Sequence, residues 1–448
     1  MLSMSIILIV FFITLVIAIL SGLVFLIPSV PIKYIKIHLY LIVLPIIVSV
    51  IGLLNVSDRE QIGPFTMDHL AWLMGSFILI LGFIIQKFSV RYLIGDRNYR
   101  KYFPLFTLIT SFASIAWLSG DLRLMVLFWG ATLLSLTLLI RVNRSWKIPY
   151  EAAKVSGKSF ALGWLSLLVA VILLYVATGN WHINVTLAND DVITSGMRFI
   201  IDMLIVLAVV VPAAQFPFQS WLIESVAAPT PVSAIMHAGI VNAGGIILTR
   251  FSPVFNDPLA ITILLIIASI SVLLGSGISL VHVDYKRQLV GSTMSQMGFM
   301  LVQCALGVYS AAIIHLMLHG VFKATLFLQS GSVVKRFNIP TPPSAKRSYS
   351  WVVLGRCLAI IIAILFWLGS DRSAYEILSA LILAWSLMVS WNQMVAFSRG
   401  LIGRVIGIIM IVIVALVYIV THHYFYNTLS HVYMNVAHPP LMSVIIGI

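Results

Sequence analysis

Charge is the scarcest thing in this chain. Of 448 residues only 9% are Asp, Glu, Lys or Arg, while 61% are hydrophobic. That composition excludes a soluble domain. Apolar runs of about 20 residues, long enough to cross a bilayer, recur from end to end. Cysteine is nearly missing as well. Cys304 and Cys357 both lie inside apolar runs, which excludes a disulfide scaffold or zinc motif and leaves them as small packing residues. There is no Gly-rich phosphate loop, dinucleotide fingerprint or HExxH motif, and no cofactor site is legible. Acidic residues number 14 against 27 basic ones, a formal net charge of +13. Such a balance can signal nucleic acid, but no basic stripe interleaved with aromatics is there to bind it.

What is present reads as an all-α polytopic membrane protein of about fourteen transmembrane helices by hydropathy. The segments are 3–27, 33–54, 66–86, 103–118, 122–140, 159–178, 199–218, 231–249, 258–281, 288–307, 310–334, 352–368, 373–396 and 402–422. The first has no basic leader or small-residue cleavage site and reads as a membrane helix rather than a signal peptide. Loops after odd-numbered segments hold about 20 Lys and Arg, and those after even-numbered segments about 5. Basic loops stay in the cytoplasm, so the amino terminus is expected outside. The net charge is thus mostly a topology signal, and the basic face can also meet anionic lipid.

Segments four to eight and nine to thirteen look alike. They suggest two inverted five-helix repeats with broken helices, a common transporter plan. The expected division is 1–100 (three helices), 101–250 (first repeat), 251–400 (second repeat) and 401–448 (last helix and tail). Pro212, Pro217, Pro229 and Pro231 interrupt the seventh and eighth segments. Proline removes a backbone donor and clashes with the preceding turn. Broken backbone at membrane depth is tolerated only against protein or beside a water-filled cavity. A second break is expected near Gly320.

A charged group at mid-bilayer costs on the order of 3 kcal/mol, so each one can be weighed. His315, His319 and Lys323 fall at i, i+4 and i+8 of the eleventh segment. They share one helix face, about 6 Å apart per step, and three titratable groups on a stripe can hand protons along linking waters. The bland alternative is a histidine satisfied by a carbonyl and a lysine snorkelling to the surface. His237 follows the Pro-x-Pro break and can shuttle protons or be structural. Glu224, one turn before the break, anchors a pathway or is solvated. Asp284 and Lys286 open the tenth segment, where local pairing at a helix start is the plain reading. Asp202 with Arg198 reads as an interfacial i, i+4 pair.

The stretches AQFPFQSWLIESVAAPTPVSAIMHAG, DYKRQLVGSTMSQMGFM and AAIIHLMLHGVFKATLFLQSGSVV resemble the proton-translocating antiporter-like subunits of respiratory complex I and Mrp antiporters. QFPFQSWL and HAGIVNAGGIILTRF look most like the DabB (MpsA-type) branch, membrane subunits of two-component inorganic-carbon transporters. The resemblance implies that His237 is the eighth-helix histidine and that His315, His319 and Lys323 are the eleventh-helix relay. It implies that Asp284 and Lys286 are the charged start of the tenth helix, and that Glu224 is the acidic residue after Trp-Leu. Complex I subunits carry a fifth-helix glutamate where Trp129-Gly130 stand here, and a seventh-helix lysine where Pro212-Ala213 stand. A single proton route through Lys323 and the histidines is therefore expected.

The resemblance further implies a bacterial inner-membrane location and a large cytoplasmic DabA-like partner that carries zinc and the catalysis. A dimer of such heterodimers is a further expectation. This chain would then be a transporter subunit without a cofactor, conducting protons or sodium. Two other readings stand beside it: an energy-conserving subunit of a complex I, hydrogenase or Mrp-type assembly, and a non-transporting scaffold.

Overall fold

The computed structural model describes residues 3–56, 59–143, 146–188, 192–332, 349–369, 374–392, 395 and 400–429. The predicted loop 335–347 and the tail beyond 429 lie outside them. The helices are α1 (Met4–Leu23), α2 (Ile35–Asn55), α3 (His69–Tyr92), α4 (Tyr99–Leu118), α5 (Leu122–Ile140), α6 (Lys147–Thr178), α7 (Ile183–Ala188) and α8 (Ser195–Val210). They continue as α9 (Ser220–Glu224), α10 (Thr230–Ile235), α11 (Ala243–Phe251), α12 (Pro258–Val281), α13 (Tyr285–Ala305), α14 (Tyr309–Gln329), α15 (Tyr349–Leu368), α16 (Ala374–Trp391) and α17 (Gly400–Leu429). Among the described residues ten helices are long and apolar enough to cross a membrane. Four of the expected segments are helical but fall outside that group: α8, of 16 residues, α13, α16 and α17.

The all-α expectation needs one correction. Glu60–Ile62 and Phe65–Met67 form a small antiparallel hairpin. Gly63, at φ +57°, supplies the left-handed residue of its turn.

Acidic residues set several helix starts. Asp68, Asp121, Asp257 and Asp284 each accept a backbone amide of the first turn of α3, α5, α12 and α13, which satisfies donors that a helix leaves open. Asp68 does more. Its carboxylate takes both terminal nitrogens of Arg250, the Nη2 contact at 2.9 Å, and lies 3.7 Å from Arg59. Burial alone would raise this carboxyl. Arg250, by charge and hydrogen bond, with help from Arg59 and the Ala71 amide, holds it below the usual carboxylate range instead.

The described residues form two compact units, α1–α14 and the α15–α17 unit. In the first, α1–α4 pack side by side around Phe11, Met67, Trp72 and Leu118. Helices α5, α6 and α8 follow in sequence, and α12 packs along the length of α13. There the backbones nearly touch. A Cβ on Gly275 would stand 2.5 Å from the Ser295 nitrogen, and one on Gly291 2.6 Å from the Ser279 nitrogen. Small residues permit that approach, as between membrane helices generally. In the second unit Trp391 packs against Gly355 and donates to the Trp351 carbonyl at 2.7 Å.

Candidate functional site

The chain from the end of the seventh predicted segment to the start of the eighth breaks where the prolines put the break. Helix α8 stops at Val210, and Pro212 and Pro217 lie in the irregular stretch before α9. The freed backbone is satisfied by neighbouring protein. Trp221 Nε1 donates to the Val211 carbonyl at 2.9 Å, and the Phe216 amide donates to Ser271 Oγ at 2.9 Å. Gln215 Nε2 donates to the carbonyls of Ala213, at 2.7 Å, and Met294, at 3.3 Å. Pro229 caps α10, and Pro231 sits in its first turn, where its missing donor does no harm. The Ala228 carbonyl beside this cap accepts Lys286 Nζ at 3.2 Å. Lys286 thus crosses from α13 to the break. Its neighbour Asp284 stays exposed and caps the Arg287 amide at 3.0 Å.

After α10 the chain makes one wide turn, Met236–Ile240, closed by an i→i+5 bond from the Val241 amide to the Met236 carbonyl at 3.2 Å. Such π turns are rare and concentrate at functional sites. His237 sits in this one, fully buried, its ring stacked on Phe327 at 4.3 Å. Neither of its ring nitrogens has a protein hydrogen-bond partner. Gly320 lets α14 reach the turn: a Cβ there would stand 2.7 Å from the Ala238 carbonyl oxygen and 2.7 Å from Phe77. The expected second break near Gly320 is therefore overturned. Helix α14 runs unbroken from Tyr309 to Gln329, and the glycine serves a close approach.

The α14 stripe forms as its spacing predicted. Lys323 is fully buried and donates to the Leu289 carbonyl of α13 at 3.0 Å. An ammonium has three donors, and among the described residues no carboxylate lies within ion-pair distance of it. His319 is buried, with Nε2 unpartnered. Its ring centroid is 6.0 Å from that of His315. His315 is half-buried between two amides, with Nδ1 3.1 Å from Gln303 Oε1 and Nε2 3.0 Å from Gln296 Oε1. His237 is within electrostatic reach of Lys323 and Lys286, and His319 of His315, Lys323 and His237. Five titratable groups from three elements therefore gather beside the break, three of them along one face of α14. Glu224 is exposed at the end of α9 and stands outside this group.

Asp202 is fully buried in the protein. Its Oδ2 accepts the amides of Asn256, at 3.1 Å, and Asp257, at 2.8 Å, so it ties α8 to the turn before α12. Gln215, Gln296 and Gln303 were not singled out in the sequence. The only signal was amide side chains inside otherwise apolar segments. The Arg250–Asp68 pair was missed because Arg250 counts as a loop charge in a topology sum. Among the described residues no cluster of His, Cys, Asp or Glu could hold a metal ion.

Residues 119–407 match the model of the family described as NADH:quinone oxidoreductase/Mrp antiporter, TM, and residues 63–103 match that of the complex I chain 5 N-terminus. A Bacillus subtilis protein named "Probable inorganic carbon transporter subunit DabB" is 57% identical over 447 residues, covering 99% of this chain and 88% of its own. A Bacillus anthracis protein of the same name is 54% identical, covering 96% and 84%. Two solved structures share the fold. A chain of the Mrp complex from Dietzia aligns with a TM-score of 0.69 at 20% identity, over 99% of this chain and 55% of that one. A chain of the archaeal membrane-bound sulfane sulfur reductase aligns with a TM-score of 0.71 at 18% identity, over 96% and 97%.

Proposed function

The chain belongs to the NADH:quinone oxidoreductase/Mrp antiporter membrane family, and on that premise we propose that it is the ion-conducting membrane subunit of an inorganic-carbon uptake complex. The names of its relatives supply the carbon-uptake half of this reading. The conducting half rests on one observation: the group Lys286, His237, Lys323, His319 and His315 beside a broken helix, with His237, His319 and Lys323 buried. Ionisable groups kept inside a membrane protein mark ion or proton routes.

In this reading Lys323 carries the proton. His319 and His315 pass it along α14 by way of water, and His237 controls access from the break. Asp284 stays a helix cap, Asp202 a structural tie, and Glu224 a solvated residue at the mouth. Fourteen crossings, with the amino terminus outside, hold two inverted repeats at 101–250 and 251–400. Proton or sodium entry drives a large cytoplasmic zinc-carrying partner that hydrates carbon dioxide, all at the bacterial inner membrane. Replacing Lys323 with Met keeps the bulk and removes the charge. Uptake of inorganic carbon should vanish in Lys323→Met while the complex still co-purifies with its zinc-containing partner. Full uptake in that variant would refute the assignment.

A second reading has its own support. The alignment with the sulfane sulfur reductase chain is nearly complete in both directions, which fits an energy-conserving subunit of a larger respiratory or antiporter assembly. Co-purification separates the two: several small membrane subunits favour this reading, a single large zinc protein the first.

A further inference from the structure

A second buried polar cluster lies where α1, α2, α3 and α4 meet, on different residues from the Lys323 group. At its centre is His38 of α2, 1% exposed. Its Nδ1 is 2.7 Å from Oγ of Ser21 on α1. Its Nε2 is 3.2 Å from Oε1 of Gln86 on α3 and 3.1 Å from Oγ1 of Thr107 on α4. Gly22 makes room for the ring, since a Cβ there would stand 3.2 Å from the imidazole Cε1. The Phe25 ring closes one side at 5.7 Å.

Placing the hydrogens is informative. With the Ser21 hydroxyl donating to the Ala18 carbonyl at 2.8 Å, its oxygen accepts from a hydrogen on Nδ1. The Thr107 hydroxyl likewise donates to the Phe103 carbonyl at 2.9 Å. Nε2 then faces two oxygens, a surrounding that suits an imidazolium, which donates from both nitrogens. One rotation suits it to a neutral ring. Turning the Gln86 amide brings its Nε2, which has no partner as it stands, to donate to the imidazole lone pair. Both protonation states are thus matched by side-chain movement alone. A histidine that only fills space needs one.

The surroundings are otherwise neutral. Helix α1 carries no charged residue, and Lys36 of α2, Lys87 and Arg91 of α3 and Lys101 of α4 are all exposed. Arg100 is bonded to the Ile27 and Val30 carbonyls. Tyr99 donates to the Val90 carbonyl and Tyr102 to Asp96. His38 itself lies one turn into α2 from the end that carries Lys33 and Lys36.

We propose that His38 is a second proton-binding site, on the basic-loop side of the chain, that takes up and releases one proton as the Gln86 amide turns. The proposal does not depend on the Lys323 group and would stand if that group carried nothing. It is tested by nitrogen NMR of the histidine-labelled chain in a bilayer between about pH 2 and 8. His38→Gln, which keeps a hydrogen-bonding side chain, identifies the resonance by its loss. As the pH falls, the His38 signals should move from a neutral ring protonated at Nδ1 to an imidazolium. Gln86→Leu removes an acceptor of the cation and should lower the proton affinity about tenfold. A single neutral tautomer across the whole range, or an unchanged midpoint in Gln86→Leu, overturns the proposal.

Discussion

Arg250 and Asp68 stand 182 positions apart and meet as a buried two-point ion pair. Removing one partner of such a pair costs far more than the pair itself contributes, about 3–5 kcal/mol, because the other charge is left uncompensated. Asp68→Asn should lower the detergent-solubilised protein's stability to denaturant by that order. The pair also sets an acid limit. The native Asp68 carboxyl titrates below its ordinary value of 3.8, so the unfolded chain binds the proton first. The stabilisation is complete above 3.8 and is lost as pH falls below it toward the native value. Wild type should therefore lose stability more steeply than Asp68→Asn in that acid window. Parallel curves would sink the argument. Lys323 is the opposite case, since it lies buried with one carbonyl and, among the described residues, no carboxylate within ion-pair distance. Its apolar flanks made it legible in the sequence. Arg250 was not, because nothing local announces a partner in another helix.

The breaks were legible at the level of elements because proline acts on its own backbone. Helix α8 ends just before Pro212 and Pro217, and Pro229 and Pro231 open α10, where a missing donor is harmless. The spacing of His315, His319 and Lys323 was legible for the same reason, since helix geometry fixes a face. The π turn at His237 was not, because an i→i+5 closure is selected by packing. Gly320 misled, because a glycine in a helix weakens it or admits a neighbour, and only the neighbour decides which. Here the neighbours are the Ala238 carbonyl and Phe77. Gly320→Ala should overpack this contact and cost about 1–3 kcal/mol. Gly277→Ala, in α12 with nothing within 4 Å of the added carbon, should gain up to about 1 kcal/mol of helix propensity. Thermal unfolding of both variants in detergent checks the contrast. Equal losses would mean that α14 does not depend on this approach.

For the molecule as a whole, the legible quantity was the sum of small signals. Hydropathy found the helices. Among the described residues its criteria pass ten helices and leave out α8, which is short, and α13, which carries enough polar side chains to pass for a soluble helix. The alternation of basic and neutral loops is a stronger constraint, since one miscounted crossing inverts every loop after it. It makes a prediction that the fold alone does not. The turn between α3 and α4 holds Arg97 and belongs to the basic set, whereas the hairpin at Glu60 belongs to the neutral set, and both side chains are exposed. In a background with Cys304→Ala and Cys357→Ser, Arg97→Cys should react with a membrane-impermeant thiol reagent only after cells are opened. Glu60→Cys should react in intact cells. The reverse pattern would turn the chain over in the membrane and place the Lys286 end of the group outside. A proton route would survive that result, but it could no longer deliver protons to a cytoplasmic partner from above, and the coupling to carbon dioxide hydration would have to be abandoned.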